Sequence, residues 1–138
     1  MAQPTAGGDQ PSIAAAIVVR DGRVLLVRRR IAEGDLSWQF PAGEVEDRED
    51  PADAAARETR EETGLVVAAN EVLGERIHPA TDRRMIYVAC NVVSGEATVA
   101  DEEEIADVAW SDSHQLSGYV PHPLYAPVQD YLDARLTT

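Results

Sequence analysis

Three glutamates lie close together near the middle of the chain, at Glu58, Glu61 and Glu62. On a helix turning about 100° per residue, Glu61 falls about 60° to one side of Glu58 and Glu62 about 40° to the other, so their carboxylates share one face. Carboxylates on a rigid helix suit Mg²⁺, or alternatively Mn²⁺, which completes its shell with water and substrate phosphates. The spacing favours a divalent-cation site; the alternative is a solvated acidic surface paired with Arg57 and Arg60.

A helix must carry these glutamates, and the sequence marks both of its ends. The run Asp50-Pro51-Ala52-Asp53 is a close variant of a capping box and predicts that the helix begins at Pro51. Gly64, after Thr63, predicts where it ends. A second helix face, predicted to pack on a sheet, carries small residues within about 60° of one another: Ala52, Ala56, Thr59 and Thr63.

Runs of β-forming residues surround this helix. Ile13 to Arg20 and Arg23 to Arg28 predict a hairpin that turns at Asp21-Gly22. The other predicted elements are a polar loop over Ile31 to Ser37, an extended piece over Trp38 to Phe40, a turn over Pro41 to Gly43, strands over Val72 to Ile77, Met85 to Val93 and Ala106 to Trp110, and a helix over Pro127 to Leu136.

Length and charge limit the classes of protein to consider. The 138 residues suit one domain, so we expect residues 12–138 to form it and residues 1–11 to be a disordered tail. Twelve basic residues, all arginine, against 25 acidic ones give a net charge of -13, which disfavours nucleic-acid polymers. There is no apolar run of about 18 residues and no basic leader. We expect a cytoplasmic protein that does not bind membranes, with its lone Cys90 in the core.

The glutamates belong to a longer pattern that begins at Gly43, reaches Glu49 after five intervening residues, and after seven more continues as Arg57-Glu58-Thr59-Arg60-Glu61-Glu62-Thr63-Gly64-Leu65. This pattern resembles the Nudix box, with one departure: the family usually has Ile, Leu or Val in place of Thr59. Together with the Trp38-x-Phe40-Pro41-x-Gly43 run before it, the resemblance covers roughly residues 12–136. It implies the Nudix fold, an α+β architecture in which a mixed β-sheet lies between helices, and hydrolysis of a nucleoside diphosphate linked to another group.

The resemblance also implies a metal site and its support. Glu58, Glu61 and Glu62 are expected to bind the divalent cation, with the Gly43 carbonyl as a further ligand. Glu49 and Arg57 resemble the family's supporting pair, which holds the ligand helix against the preceding loop.

The general base and the substrate contacts are less sharply defined. The base in this family is a box glutamate or an acid on a later loop, so Glu61, Glu103 and Glu104 are candidates, and Glu104 is favoured by its distance from Trp110. Among the adjacent Arg28, Arg29 and Arg30, one could hold a substrate phosphate, or all three could balance local acids.

Comparison with the MutT-like branch implies further contacts. Arg29 matches a position that bonds the nucleotide, and Phe40 one that flanks the base, although Phe40 fits a core residue equally well. Tyr125 stands near a position where the branch often has an amide that reads an oxidised purine. A phenol cannot reproduce the paired donor and acceptor of an amide, which weakens an 8-oxo-purine assignment. His78, His114 and His122 receive no role.

The expected function is MutT-like: cleavage of a small nucleoside triphosphate to the monophosphate and pyrophosphate, by a monomer or homodimer. The alternative within enzymes is an ADP-ribose or nucleotide-sugar pyrophosphatase, a branch that often has a proline some fifteen residues after the box, where Pro79 is one residue early. A catalytically silent nucleotide sensor is the third possibility, and the three intact glutamates disfavour it.

Overall fold

The structure is a computed structural model that describes residues 10–33 and 36–138. Most of the predicted N-terminal tail, residues 1–9, lies outside the described residues. In chain order the elements are β1 (Ile13–Arg20), β2 (Arg23–Glu33), β3 (Leu36–Gln39), β4 (Ala42–Glu44), α1 (Pro51–Thr63), β5 (Val66–Ile77), β6 (Arg84–Ser94), β7 (Ile105–Ser111), α2 (Ser113–Tyr119) and α3 (Ala126–Arg135).

One mixed sheet organises the described part of the chain. Its main path runs β3-β2-β1-β6-β5, while β4 pairs with β1 and β7 pairs with β2. The β1 and β6 strands are parallel, with Ala16 opposite Val88, and the other pairings are antiparallel. The predicted hairpin between β1 and β2 is confirmed, and both residues of its Asp21-Gly22 turn have positive φ angles.

The side chains of β1 alternate between two hydrophobic cores, one on each face of the sheet. Ala14, Ala16 and Val18 pack in the core that includes Ala54 and Ala55 of α1. On the other face, Ala15 and Ile17 pack in the core that contains buried residues of α2 and α3, namely Leu116, Val128, Tyr131 and Leu132. The sheet therefore lies between helices, and the predicted α+β Nudix architecture is confirmed.

Helix α1 has the predicted bounds and ends at Gly64, whose φ is 78° and whose N–H donates to the Arg60 carbonyl. The predicted capping box is wrong, since the Asp50 side chain makes no cap hydrogen bond with the described residues. Instead, the loop before the helix is closed by Glu49, which accepts from the backbone N–H of Glu46 at 2.9 Å.

The packed face of α1 also differs from the prediction. Ala55, Thr59 and Thr63 are buried, whereas Ala52 and Ala56 are only partly buried at the margin of the core. The helix is rotated so that Glu62 also lies inward. The hydroxyl of Thr59, the departure from the family pattern, donates to the Ala55 carbonyl at 2.8 Å, so the polar atom is satisfied within the helix.

Pairing with distant strands explains the other differences. The predicted loop over Ile31 to Ser37 is mostly strand, because β2 continues to Glu33 and β3 begins at Leu36. The predicted turn over Pro41 to Gly43 contains the start of β4, which pairs with β1. Helix α2 was not predicted. None of the helices in residues 10–33 and 36–138 is long and apolar enough to cross a membrane.

Candidate active site

Strand β4 brings Gly43 directly against helix α1. A Cβ atom built on Gly43 would overlap the carboxylate of Glu58, so this backbone approach requires a residue without a side chain. Pairing of β4 with β1 places Gly43 opposite Ala14 and fixes its position relative to α1. The structure therefore brings together the predicted glycine and one predicted carboxylate ligand.

Arg57 joins the loop before α1 to the carboxylates on it. Its Nε donates to Glu49 at 2.8 Å and its Nη1 to Glu58 at 2.8 Å and to Glu61 at 3.2 Å, while Nη2 donates to the Glu44 carbonyl at 3.0 Å. The hydrogen bond from Arg57 lowers the pKa of Glu49 below its ordinary value. The same contact raises the pKa of the Arg57 guanidinium. The predicted supporting pair is thus in contact.

The three glutamates of α1 occupy different environments. The side chain of Glu62 is 4% exposed, that of Glu58 15%, and that of Glu61 54%. Burial raises the pKa of Glu58, and it raises the pKa of Glu62 to about 8 although Arg29 opposes the shift. The Oε1 atom of Glu62 is buried and accepts no hydrogen bond from the described residues. Two of the three carboxylates on this face of α1 are therefore largely buried, while Glu61 is exposed to solvent.

Arg29, on β2, connects these glutamates to the sheet. Its Nη1 lies 3.1 Å from Glu62 and 3.6 Å from Glu104, and its Nη2 donates to the Ala42 carbonyl at 2.7 Å. Within the structure described, Arg29 therefore binds protein oxygens with both terminal nitrogens. It also lines the central cleft, which its neighbours Arg28 and Arg30 do not.

The loop between β6 and β7 carries the candidate general bases. The Asp101 carboxylate accepts from the backbone N–H groups of Glu103 and Glu104 at 3.2 and 3.3 Å. Arg30 holds the loop from the other side, because its Nε donates to the Glu102 carbonyl at 2.7 Å and its backbone N–H to the Glu104 carbonyl at 2.8 Å. Glu103 and Glu104 both line the cleft, so both remain candidates.

The residues around Gly43 fit a hard divalent cation. As they stand, no three Asp, Glu, His or Cys side chains among the described residues are gathered into an ion site; Arg57 and Arg29 hold the carboxylates instead. However, Glu62 presents a buried oxygen that accepts no hydrogen bond from the part of the chain described, and Glu58 lies against the Gly43 backbone. Carboxylate and carbonyl oxygens are the donors that Mg²⁺ and Mn²⁺ prefer.

A broad cleft of about 1770 Å³ extends from these carboxylates. Phe40 lines it and is 9% exposed, so it belongs both to the cleft and to the core, the two roles left open by the sequence. Three further aromatic side chains line the cleft, Trp38, Tyr87 and Tyr125. Tyr125 donates from its hydroxyl to the Glu75 carbonyl at 3.0 Å.

The cleft residues that sequence reasoning missed include Arg76 and Tyr87, which lie on the paired strands β5 and β6. The sequence shows Arg76 only as a single cation in a predicted strand. That pattern does not tell whether its side chain lines a cleft or lies on the outer surface. His78 and His122 also line the cleft, whereas His114 is exposed on α2. Cys90 is 1% exposed in the core as predicted, and burial raises its pKa to about 11.

The fold and this constellation identify the class of protein. A family model of the NUDIX domain matches residues 10–135, and the chain therefore belongs to the Nudix family. Nudix hydrolases act on phosphoanhydride bonds and generally need divalent metal ions. The chain is also similar to a MutT-like protein of Streptomyces ambofaciens, with 28% identity over 137 residues, covering 96% of this chain and 86% of that one. The predicted resemblance to the MutT-like branch is confirmed.

Other similarities are partial or concern the fold. An RNA pyrophosphohydrolase of Halorhodospira halophila is 46% identical over 67 residues, which are 49% of this chain and 35% of that protein, so the match spans about a third of that relative's length. A NUDIX hydrolase structure from Nitrosomonas europaea superposes with a TM-score of 0.76 at 22% identity, covering 98% of this chain and 74% of that one. The structure of the MutT NUDIX hydrolase of Burkholderia pseudomallei superposes with a TM-score of 0.65 at 26% identity, covering 92% of this chain and 98% of that one.

Proposed function

We propose that this chain is a divalent-metal-dependent pyrophosphohydrolase that cleaves a small nucleoside triphosphate to the nucleoside monophosphate and pyrophosphate. The observation that carries this proposal is the buried Glu62 carboxylate, which has one oxygen without a hydrogen bond among the described residues and lines the same cleft as Glu58 and Gly43. Arg29 compensates one oxygen of this carboxylate, and burying the other oxygen without a partner among the described residues is costly unless a cation joins it.

Glu58, Glu61, Glu62 and the Gly43 carbonyl are the proposed ligands of this cation, Mg²⁺ or Mn²⁺. When bound, the cation would lower the pKa of water and neutralise charge on the phosphoryl oxygens. Arg57 and Glu49 act as positioning residues, since their contacts hold α1 against the loop that leads into it.

In the proposed reaction, the oxygen of a water molecule bonds to one phosphorus of the anhydride, the bridging P–O bond breaks, and the bridging oxygen leaves with the departing group. A carboxylate must accept the proton of the attacking water. Glu104 is our first choice, because its loop is anchored by Arg30 and its carboxylate lies 3.6 Å from Arg29 in the same cluster as Glu62. Glu103 and Glu61 remain the rivals.

Two features favour a nucleotide substrate. Phe40 and Trp38 supply apolar ring surface in the cleft, and Arg29 supplies a cation beside the carboxylates. The nearly full-length similarity to a MutT-like protein supports the same substrate class. The net charge of -13 favours small nucleotides over RNA chains, although the partial match to RNA pyrophosphohydrolases makes a 5′-triphosphorylated RNA a necessary comparison.

The second candidate is hydrolysis of ADP-ribose or a nucleotide sugar. Pro79, the residue that suggested this branch, lies in the segment between β5 and β6 and lines the cleft. A residue at that place can contact whatever group is attached to the diphosphate.

The proposal is tested by measuring phosphate release in Mg²⁺ with added pyrophosphatase. The substrates are unmodified and oxidised nucleoside triphosphates and a 5′-triphosphorylated RNA, while ADP-ribose and nucleotide sugars are measured with added phosphatase. Glu61→Gln is the test variant. Glu71→Gln is the matched control, because Glu71 is exposed on β5 and does not line the cleft.

We expect turnover of triphosphates that needs Mg²⁺, falls by at least about 100-fold in Glu61→Gln and is unchanged in Glu71→Gln. Turnover confined to ADP-ribose or sugars would move the assignment to the second candidate. Tight nucleotide binding without any turnover would identify a sensor and overturn the proposal.

A further inference from the structure

Arg76 differs from the other arginines that line the cleft. Arg29, Arg57 and Arg83 each form an ion pair with a carboxylate, at 2.8 to 3.1 Å. The Nη1 and Nη2 groups of Arg76 have no hydrogen bond and no ion pair with any residue that the structure describes. Arg76 thus has two adjacent donors without a described partner, and it lines the same cleft as the proposed metal ligands.

The surroundings of Arg76 orient these donors. Its Nε donates to the Tyr87 hydroxyl at 3.3 Å, and its guanidinium carbon lies 5.8 Å from the centre of the Tyr87 ring and 5.3 Å from that of Tyr125. Tyr125 is itself anchored to the Glu75 carbonyl. The Nε edge of the guanidinium is thus used by the protein, and the edge formed by Nη1 and Nη2 is left for a ligand.

We propose that Arg76 reads the N7 and O6 acceptors of a guanine-type base, so that the nucleotide substrate is a guanosine or other 6-oxopurine nucleotide. This inference rests on the proposed function, because it assumes that a nucleotide occupies the cleft. The planar guanidinium presents two parallel donors, and guanine presents two adjacent acceptors at matching separation. Adenine offers one acceptor and one donor at the same edge, and pyrimidines have no N7.

Neutral rings around Arg76 favour a base edge over a phosphate group. Tyr87 is 4% exposed, and a dianionic phosphate beside it would keep charge that one guanidinium does not neutralise. Among the arginines that line the cleft, Arg83 is the next one after Arg76 in the sequence. Its guanidinium already donates to Glu44 and to the Pro11 carbonyl. A neutral purine can in addition lie against the rings of Tyr87 and Tyr125, which also line the cleft.

Oxidation of the base provides a sharp consequence. In 8-oxoguanine, N7 carries a hydrogen and becomes a donor, which would face the donors of Arg76. Arg76 therefore selects against 8-oxoguanine and in favour of the unmodified base. Tyr125 also disfavours 8-oxoguanine, because a phenol cannot supply the paired donor and acceptor of an amide.

The test compares kcat/KM for GTP, ITP, ATP, CTP, 7-deaza-GTP and 8-oxo-GTP, together with equilibrium binding of GMP, AMP and 7-deaza-GMP. Replacing N7 of guanine by carbon removes one acceptor and leaves shape and charge unchanged. For the wild-type chain we expect GTP and ITP to exceed ATP, 7-deaza-GTP and 8-oxo-GTP by about 5- to 150-fold, the range of one bidentate base contact. GMP should exceed 7-deaza-GMP in affinity by a similar factor.

Two variants separate the paired donors of Arg76 from its charge. Arg76→Lys keeps the charge and loses the parallel donors, so we expect the preference for GTP over 7-deaza-GTP to fall to about twofold or less. Tyr87→Phe keeps Arg76 and loses the orienting hydrogen bond, and should reduce the preference partly. The control is Arg84→Gln, since Arg84 pairs with Glu75 outside the cleft, and it should retain the full preference. Thermal melting of each variant checks the fold.

Equal affinity for GMP and 7-deaza-GMP in the wild-type chain would overturn this inference, whatever the turnover assay returns. A uniform loss across all bases in Arg76→Lys would also overturn it and would assign Arg76 to a phosphate. If the chain binds GMP more tightly than 7-deaza-GMP but does not hydrolyse triphosphates, the contact of Arg76 with the base is supported and the proposed hydrolysis is refuted. The two proposals therefore fail separately.

Discussion

Arg29 and Glu62 form an ion pair across the boundary between the sheet and helix α1. Nη1 of Arg29 lies 3.1 Å from Oε2 of Glu62, and the two side chains are 13% and 4% exposed. Arg29 also binds the carbonyl of Ala42, next to Gly43. A single arginine thus joins β2, the start of β4 and helix α1, so the carboxylates of α1 take their places only when these elements dock.

Replacing one partner of this pair should cost more stability than replacing both. We expect Arg29→Met to lower the free energy of unfolding by about 3 kcal/mol in the absence of divalent cation, because it leaves a buried carboxylate without its ion partner. The double variant Arg29→Met/Glu62→Met should recover most of that loss. Urea denaturation with chelator present measures the free energies of unfolding of the wild type, both single variants and the double variant, which form a double-mutant cycle. Effects that add within about 0.5 kcal/mol would show that the two side chains are not coupled.

Gly43→Ala should damage the site with little effect on the rest of the fold. The added methyl group would overlap the Glu58 carboxylate and displace it, so we expect turnover to fall by about 100-fold and the rise of melting temperature with Mg²⁺ to shrink. Gly118→Ala is the matched control, because its Cβ would have no neighbour within 4 Å and alanine favours helix α2. Unchanged turnover and unchanged Mg²⁺ response in Gly43→Ala would refute the close approach.

Arg30 is expected to affect the chemical step through the loop that it anchors. Arg30→Gln removes the contact of its Nε with the Glu102 carbonyl and loosens the segment carrying Glu103 and Glu104, while the backbone bond from Arg30 to the Glu104 carbonyl stays. We expect kcat to fall roughly 10-fold, part of the about 10²- to 10⁴-fold that a general base contributes, with KM less affected. Arg23→Gln, at an exposed position of the hairpin, serves as the control. A rise in KM alone would assign Arg30 to substrate binding instead.

Cys90 should make stability depend on pH in alkaline solution. Burial raises the pKa of the folded thiol from 9.0 to about 11, so the unfolded chain loses this proton first as the pH increases. The stabilisation is present below pH 9 and is lost as the pH rises through about 11. Between these values the wild-type free energy of unfolding should fall by roughly 1 to 3 kcal/mol more than that of Cys90→Ala. Parallel pH profiles would contradict this expectation.

Local signals predicted the parts of the fold that local interactions determine. Helix α1 was placed from Pro51 and Gly64, and the first hairpin from Asp21-Gly22, since these residues act through their own backbone angles. The extension of β2 to Glu33 depends on β3 and β7, which come later in the chain. A polar composition cannot reveal partners that are distant in sequence.

The candidate site divides in the same way. Periodicity alone placed Glu58, Glu61 and Glu62 on one helix face, and the family resemblance added Gly43 and Arg57. The inward rotation of Glu62 was not predicted, because it depends on how α1 lies on the sheet. Arg76 and Tyr87 could not be linked from the sequence, since their contact depends on the register of β5 against β6, which shifts at three irregularities before Arg76.

Strand β1 contributes side chains to both hydrophobic cores, with Ala14, Ala16 and Val18 on one side and Ala15 and Ile17 on the other. Slippage of β1 by one residue would exchange these two sets and disrupt both cores together. Neither helical layer can therefore melt while the other stays packed. Heat or urea should unfold the protein in one cooperative transition, and the amide protons of β1 should exchange with solvent only through that global event.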